Sequence, residues 1–183
     1  MTFYAGQLLV ATPRLADPNF NRTVILLLDH DEDGAIGVVL NRPMELPLGA
    51  VLPAWAEVVA EPHLLFNGGP VSRESALAVG LSLGEGPSHS FWPLVGDFGL
   101  VDLDAEPGDL LSDLIGLRVF SGYAGWGHEQ LTAEIAEGSW YVVNTAPTDL
   151  LTSQPEELWR RIMRRQPGEL AFLATMPDDP TLN

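Results

Sequence analysis

The stretch FSGYAGWGHEQLTAEI, residues 120–135, constrains the fold most, because three glycines separate an apolar strand from an amphipathic helix. Glycines at 122, 125 and 127 allow positive φ or the close approach of another backbone. The residues after them have the apolar spacing of a helix. The pattern predicts a strand, a glycine-rich turn and a helix, whose unpaired N–H groups could accept an anion.

Two further corners interrupt apolar segments. One is Asn-Gly-Gly-Pro after HLLFN, and the other is Asn-Arg-Pro after AIGVVL. We expect these corners to meet the central stretch in a pocket with aromatic walls. The predicted ligand-binding residues are Asn41, Arg42, Gly68, Gly69, Tyr123, Gly125, Trp126, Gly127 and Gln130. The alternative interpretation is that the glycines and aromatic residues only let a helix pack closely on a sheet.

Composition limits the classes of function. At 183 residues and 46% hydrophobic content, the chain predicts one domain spanning residues 1–183. The formal net charge of −16 disfavours direct binding to DNA or to anionic membranes. The chain lacks cysteine, which excludes disulfides and thiolate chemistry. The N-terminal apolar run is too short for a signal peptide or a membrane span, so we expect a cytoplasmic protein.

The order of apolar segments predicts many short strands and few helices. TVILLL, residues 23–28, is apolar throughout, which is typical of a strand buried on both faces. Asp33-Gly34 predicts the tight turn of a hairpin. A capping box of Ser153 and Glu156 predicts a helix to about Arg165, with its arginines on a solvated face. We expect an α+β (mixed α/β) fold, with a strongly twisted, partly closed, barrel-like mixed β-sheet flanked by helices.

Three local motifs resemble known functional motifs, but each lacks a residue or a helix that the function requires. The central glycines are not followed by Lys-Ser/Thr and do not form G-x-G-x-x-G, which excludes a P-loop and a dinucleotide fingerprint. The acidic turn from Asp29 starts like an EF-hand loop, but Leu40 occupies the position of the bidentate glutamate. G-x-S-x-G around Ser82 is followed by loop residues, whereas a nucleophile elbow needs a helix. We predict no metal, no cofactor and no serine nucleophile.

Several segments together resemble the bacterial YqgE/AlgH family, whose members are described as uncharacterised proteins or transcriptional regulators. They are GQLLVATPRLADPNFNRTVILLLDH, DGAIGVVLNRP, NGGPV, GYAGWGHEQL and TMPDDPTLN. The resemblance spans nearly the whole chain. It implies a compact mixed sheet, partly closed into a barrel and flanked by helices, without an established enzymatic activity. The chain departs from the family pattern at His128-Glu129, where members usually carry Pro-Gly, and at Thr132, where they carry an acid.

Two functional hypotheses follow. The first is a non-catalytic binding or regulatory protein that takes an unknown small ligand or protein partner at the glycine-rich corner. Direct DNA binding conflicts with the charge, because such a domain needs a basic surface. The alternative is an enzyme, a hydrolase or transferase, that uses His128 or Glu129 as acid or base and Arg42 as an anion clamp. The alternative requires the Arg42 corner and the GYAGWG turn to share one pocket.

Overall fold

The computed structural model describes residues 2–82, 84 and 89–177. Its strands are β1 Leu8–Ala11, β2 Val24–His30, β3 Gly34–Val39, β4 Pro43–Pro47, β5 Leu64–Asn67, β6 Val71–Ser82, β7 Phe91–Val95, β8 Phe98–Val101, β9 Leu114–Gly127 and β10 Trp140–Val143. Its α-helices are α1 Gln130–Ala136, α2 Leu158–Arg164 and α3 Leu170–Leu173. Short 3-10 helices span Leu48–Ala50, Pro53–Trp55, Pro107–Asp109, Pro147–Asp149 and Pro155–Glu157.

The strands form one curled, mostly antiparallel sheet. Its hydrogen-bonded order is β10–β1–β2–β3–β9–β6–β8–β7, and β5 pairs with both β4 and β9. Among the described pairs, only β5–β9 is parallel. The curl brings β7, at the end of this order, against β2. The expected mixed α/β class is confirmed, but the helices are short and cover the sheet less than predicted.

β2 is buried on both faces except at Asp29, as its continuous apolar run predicts. Leu26 and Leu28 point into the largest core cluster, which α2 closes with Trp159 and Ile162. The alternate residues of β2 point into a second cluster beneath α1. A third cluster lies between β6, β8 and β9 on one side and the 3-10 helices of residues 48–55 on the other. The short helices therefore complete cores that the sheet cannot close by itself.

The hairpin between β2 and β3 is confirmed, with its turn held by Asp31. The predicted capping box before α2 is wrong. The 3-10 turn Pro155–Glu157 precedes α2, and its N-terminal residue, Gln154, lacks a side-chain cap. The Thr152 hydroxyl accepts the N–H of Gln154 at 3.2 Å instead, so Ser153 is not the capping residue.

The predicted glycine-rich turn after Phe120 is also wrong. β9 continues through the glycines to Gly127, and α1 begins only at Gln130. Gly122 has a φ of +70° and lies where the pairing between β6 and β9 shifts register. Gly122 therefore provides the left-handed backbone conformation at this register shift inside the strand. The seven-residue helix that follows is too short to support the expected anion corner.

Arg118 is a buried cation on β9 that joins three segments. Its side chain is 1% exposed and lies over the Phe66 ring at 4.1 Å. It donates to the backbone carbonyls of Leu150, Thr152 and Glu61, each at 2.9 Å. Burial lowers the pKa of Arg118 to about 10, so the guanidinium stays charged at neutral pH. These bonds fix the segment before α2 against the sheet.

No helix in the described part of the chain is long and apolar enough to cross a membrane.

Candidate functional site

Two of the predicted corners meet on one side of the sheet. The N–H of Gly68 donates to Ser121 of β9 at 2.9 Å, and its carbonyl accepts the N–H of Val39 at 2.9 Å. A Cβ atom on Gly69 would lie 2.2 Å from the Tyr123 carbonyl oxygen. Glycine at 69 is therefore required by the close approach of two backbones. The Asn-Gly-Gly-Pro corner packs directly on β9, as expected.

The Asn-Arg-Pro corner joins the same place. The Arg42 carbonyl accepts the N–H of Asn67 at 2.8 Å, which links the two corners. Asn41 donates to the Arg22 carbonyl and accepts the N–H of Val24, both at 2.8 Å. The side chain of Asn41 therefore holds the start of β2 against the end of β3. As a ligand-binding residue Asn41 stays a prediction.

Two cavities flank Arg42. The wide cleft has a volume of about 390 Å³ and is lined by Asn21, Arg22, Asn41, Arg42, Glu156, Glu157, Trp159 and Arg160. The narrow cavity has a volume of about 50 Å³ and is lined by Pro18, Asn19, Val39, Arg42, Asn67, Gly69, Pro70 and Arg73. Residues 18–22 form a wall of both. Arg42 thus stands between two adjoining spaces of different size.

The cavities concentrate positive charge on a strongly acidic chain. Arg22, Arg42 and Arg160 line the wide cleft together with two glutamates. Arg42 and Arg73 line the narrow cavity, and in the described part of the chain none of its lining residues is acidic. Four of the chain's nine basic side chains therefore face these two spaces.

The arginines are positioned by the protein's own backbone and by aromatic contacts. Arg22 has a left-handed φ of 54° and lies over the Trp159 ring at 4.4 Å. It donates to the Pro177 carbonyl at 2.7 Å. Arg42 donates to the Asn21 carbonyl at 2.6 Å. A non-glycine residue with positive φ is strained, and such residues are enriched at functional sites.

The other predicted site residues lie elsewhere. Trp126 is 6% exposed and packs between Phe20 and Trp140. The Gln130 side chain accepts the N–H of Gly127 at 3.1 Å and donates to Glu134 at 3.0 Å. These contacts fix α1 on the sheet. As ligand-binding residues Trp126, Gly127 and Gln130 stay predictions.

Gly125 and Tyr123 complete the predicted set. Gly125 pairs with Ile36 of β3, and its backbone is not left-handed. Tyr123 packs partly buried against the largest core cluster. Neither residue lines the wide cleft or the narrow cavity. The structure therefore brings together Asn41, Arg42, Gly68 and Gly69, with the Tyr123 backbone against Gly69. Gly125, Trp126, Gly127 and Gln130 line neither cavity.

The enzyme hypothesis requires Arg42 to share a pocket with His128 or Glu129, and neither cavity beside Arg42 contains these two residues. His128 and Glu129 have side chains that are each 65% exposed, and His128 hydrogen-bonds the Glu32 carbonyl at the hairpin tip. That hydrogen bond, with the nearby charge of Glu129, raises the pKa of His128. Arg42 lies beyond the opposite end of β3, a strand of six residues that is about 20 Å long at about 3.3 Å per residue. Neither His128 nor Glu129 lines the wide cleft or the narrow cavity.

Two rejected motifs also have clear structural roles. Ser82 is 1% exposed, and its hydroxyl donates to the Asp113 carbonyl at 3.0 Å. Most of the loop that follows Ser82 lies outside the described residues. In the hairpin turn, Asp31 accepts the N–H groups of Asp33 and Gly34. Within the described ranges there is no cluster of three His, Asp or Glu side chains that could hold a metal.

Sequence reasoning missed Arg73 and the segment of residues 18–22. Arg73 donates to the Asn19 side chain at 3.4 Å, and Asn21 accepts from Arg42, so this segment folds over both cavities. Phe20 anchors it on Trp126 and Trp140. The available signal was a single aromatic residue inside the polar run Asp-Pro-Asn-Phe-Asn-Arg. Such an isolated aromatic predicts that a loop is tied to a core.

The fold and site define a class: a curled, mostly antiparallel sheet with short helices and an arginine-lined cleft where its corners meet. The chain belongs to the AlgH-like family, whose model matches residues 8–171. The UPF0301 protein SCO2948 of Streptomyces coelicolor is 54% identical over 183 residues, covering 97% of this chain and 94% of the relative. The name of this relative states no reaction or ligand.

Two solved structures share the architecture. The crystal structure of protein DIP2367 from Corynebacterium diphtheriae has a TM-score of 0.88 and 31% identity, over 94% of this chain and 92% of that chain. The solution structure of the AlgH protein from Pseudomonas aeruginosa has a TM-score of 0.70 and 29% identity, over 96% and 95% of the two chains. The resemblance noted in the sequence is therefore confirmed at the level of family and fold.

Proposed function

We propose that this protein is a non-catalytic binding protein, and that its ligand is a small molecule held at the corners around Arg42. The observation that carries the proposal is that two cavities adjoin at Arg42, where the Asn-Arg-Pro and Asn-Gly-Gly-Pro corners are joined by a backbone hydrogen bond. A volume of about 390 Å³ suits a metabolite, since small-molecule sites span about 300–1,000 Å³.

The charge distribution supports a small ligand over a large polyanion. A net charge of −16 repels nucleic acid and other extended polyanions, whereas a compact ligand meets mainly the local arginines. A catalytic role is less well supported, because the acid or base that it would use, His128 or Glu129, lines neither the wide cleft nor the narrow cavity.

The test is retention of a compound by the purified protein. Native mass spectrometry of the parent, followed by saturation-transfer NMR with pooled bacterial metabolites, would identify binders. Arg42→Glu inverts the charge between both cavities, and Arg14→Glu makes the same change at an exposed position as the control. We expect the parent and Arg14→Glu to bind one compound that Arg42→Glu loses. Binding that is absent from the parent, or equal in all three folded proteins, would contradict the proposal.

A further inference from the structure

The narrow cavity differs chemically from the wide cleft. The wide cleft mixes arginines with Glu156 and Glu157, so its charge is locally balanced. The narrow cavity is lined by Arg42, Arg73 and two asparagines, and its lining within the described residues includes no carboxylate. A cavity that presents only cations and neutral polar groups favours an anion.

Both arginines are held where they can serve such an anion. Each guanidinium carries five N–H donors. Arg42 donates from Nη2 to Asn21, and Arg73 donates from Nη2 to Asn19, so both side chains are tethered to the same wall. Within the described residues, no further hydrogen-bond partner of these two guanidinium groups is found. Tethering reduces the side-chain entropy that binding would otherwise cost.

The size of the narrow cavity sets the size of the group. One water needs about 10–15 Å³ of such space, so a cavity of about 50 Å³ accommodates a group of a few heavy atoms. A carboxylate or a phosphate has this size and matches the planar fork of arginine. A whole metabolite does not fit there, whereas the wide cleft beyond Arg42 has room for its remainder.

We propose that the narrow cavity binds the carboxylate or phosphate group of a small ligand between Arg42 and Arg73, with the body of the ligand in the wide cleft. This inference rests on the proposed function and specifies its ligand class, a small organic anion. Arg73 lines the narrow cavity and not the wide cleft, whereas Arg160 lines the wide cleft and not the narrow cavity. The two arginines therefore give matched variants with the same loss of charge.

The experiment is an NMR titration of the full-length protein with sodium phosphate and, separately, with sodium acetate, against sodium chloride of equal ionic strength. We expect the backbone amides of Asn67 and Gly69 to shift with phosphate, acetate or both, and not with chloride. Arg73→Ala should weaken this binding about tenfold or more, because a hydrogen bond to a charged group is lost. Arg160→Ala should change it by no more than about twofold, because Arg160 does not reach the narrow cavity.

The outcomes separate the two proposals. Absence of shifts at Asn67 and Gly69 with both anions, or equal weakening in Arg73→Ala and Arg160→Ala, would overturn the anion site. If a retained compound is uncharged, or binds Arg73→Ala as tightly as the parent, the proposed function stands and this inference falls. Phosphate or acetate binding at Asn67 and Gly69 without any retained compound would overturn the proposed function and leave the anion site standing.

Discussion

The indole N–H of Trp126 donates to Oε2 of Glu134 at 2.9 Å, which ties the end of β9 to α1. Trp140 of β10 donates to the same oxygen at 2.8 Å. Gln130 donates to the other carboxylate oxygen at 3.0 Å. A single carboxylate thus accepts hydrogen bonds from two strands and from its own helix. The arrangement explains why α1 stays on the sheet although it has only seven residues.

Removing this carboxylate should therefore destabilise the fold. Glu134→Ala leaves the indole N–H groups of Trp126 and Trp140 without their acceptor, and each unpaired buried donor costs about 1–3 kcal/mol. We expect a total loss of about 2–4 kcal/mol in the free energy of unfolding, measured by urea denaturation. Glu134→Gln keeps one acceptor oxygen and should lose less. Glu137→Ala, an exposed change at the end of the same helix, is the control, and an equal effect of the two alanine variants would disprove the role of Glu134.

The glycines of β9 should differ in their tolerance of a side chain. A Cβ atom on Gly122 would lie 2.7 Å from the carbonyl oxygens of Gly69 and Val71, and its φ of +70° is left-handed. We expect Gly122→Ala to cost at least about 1–2 kcal/mol, the strain of a left-handed residue. At Gly125 the nearest atom would be 3.6 Å away, so Gly125→Ala should change stability by less than about 0.5 kcal/mol.

Thermal and urea denaturation of both variants would check this expectation. It separates Gly122 from Gly125 and Gly127, although the sequence pattern assigned all three glycines the same conformational role. A Gly125→Ala protein that is less stable than Gly122→Ala would contradict it.

The sequence predicted the elements of the sheet better than the places where they meet. β2 was recognisable because five consecutive apolar residues need two buried faces, and the hairpin turn because Asp-Gly favours it. The position of Gly122 within a strand was not recognisable, because glycine has the same local signature in a bulge as in a turn. Which backbone approaches that glycine depends on β6, which is distant in sequence.

The same limit applies to the candidate site. Arg42 was identified because a cation beside an Asn-Pro corner stands out in an acidic chain. Arg73 was missed because its neighbours in the sequence, Ser72 and Glu74, are ordinary surface residues. Its relation to Arg42 arises only when β6 folds against β9 and residues 18–22 cover both cavities. Local patterns do not encode such long-range juxtapositions.

Arg118 gives a prediction about stability. Its guanidinium donates to three backbone carbonyls, those of Glu61, Leu150 and Thr152, and the bonds to Leu150 and Thr152 are buried. Arg118→Met keeps the apolar stem and removes every donor, so we expect a loss of about 3 kcal/mol or more, since each orphaned group costs about 1–3 kcal/mol. Urea denaturation measures the loss, with Arg14→Met as the exposed control. A protein as stable as this control would mean that the carbonyls find other partners.

His30 gives a prediction about pH. The N–H of Tyr4 donates to Nδ1 of His30 at 3.1 Å, which requires a neutral ring with Nδ1 unprotonated. Burial lowers the pKa of His30, although Asp31 and Asp29 oppose the shift. The unfolded chain, with a histidine pKa of about 6.5, therefore takes up this proton before the folded protein does. Stability from His30 is present above that pH and is lost as the pH falls towards the lowered pKa.

The pH dependence of His30 is best measured in a His128→Gln background. The pKa of the exposed His128 is raised, so its contribution is present at low pH and is lost as the pH rises through that pKa, opposite to His30. Urea denaturation from about pH 7.5 to 5.0 should show a smaller loss of stability in His30→Gln/His128→Gln than in His128→Gln alone. The carboxylates, whose titration also destabilises at acid pH, are identical in the two proteins and cancel in the comparison. Parallel stability profiles would mean that His30 has the same pKa in the folded and the unfolded chain.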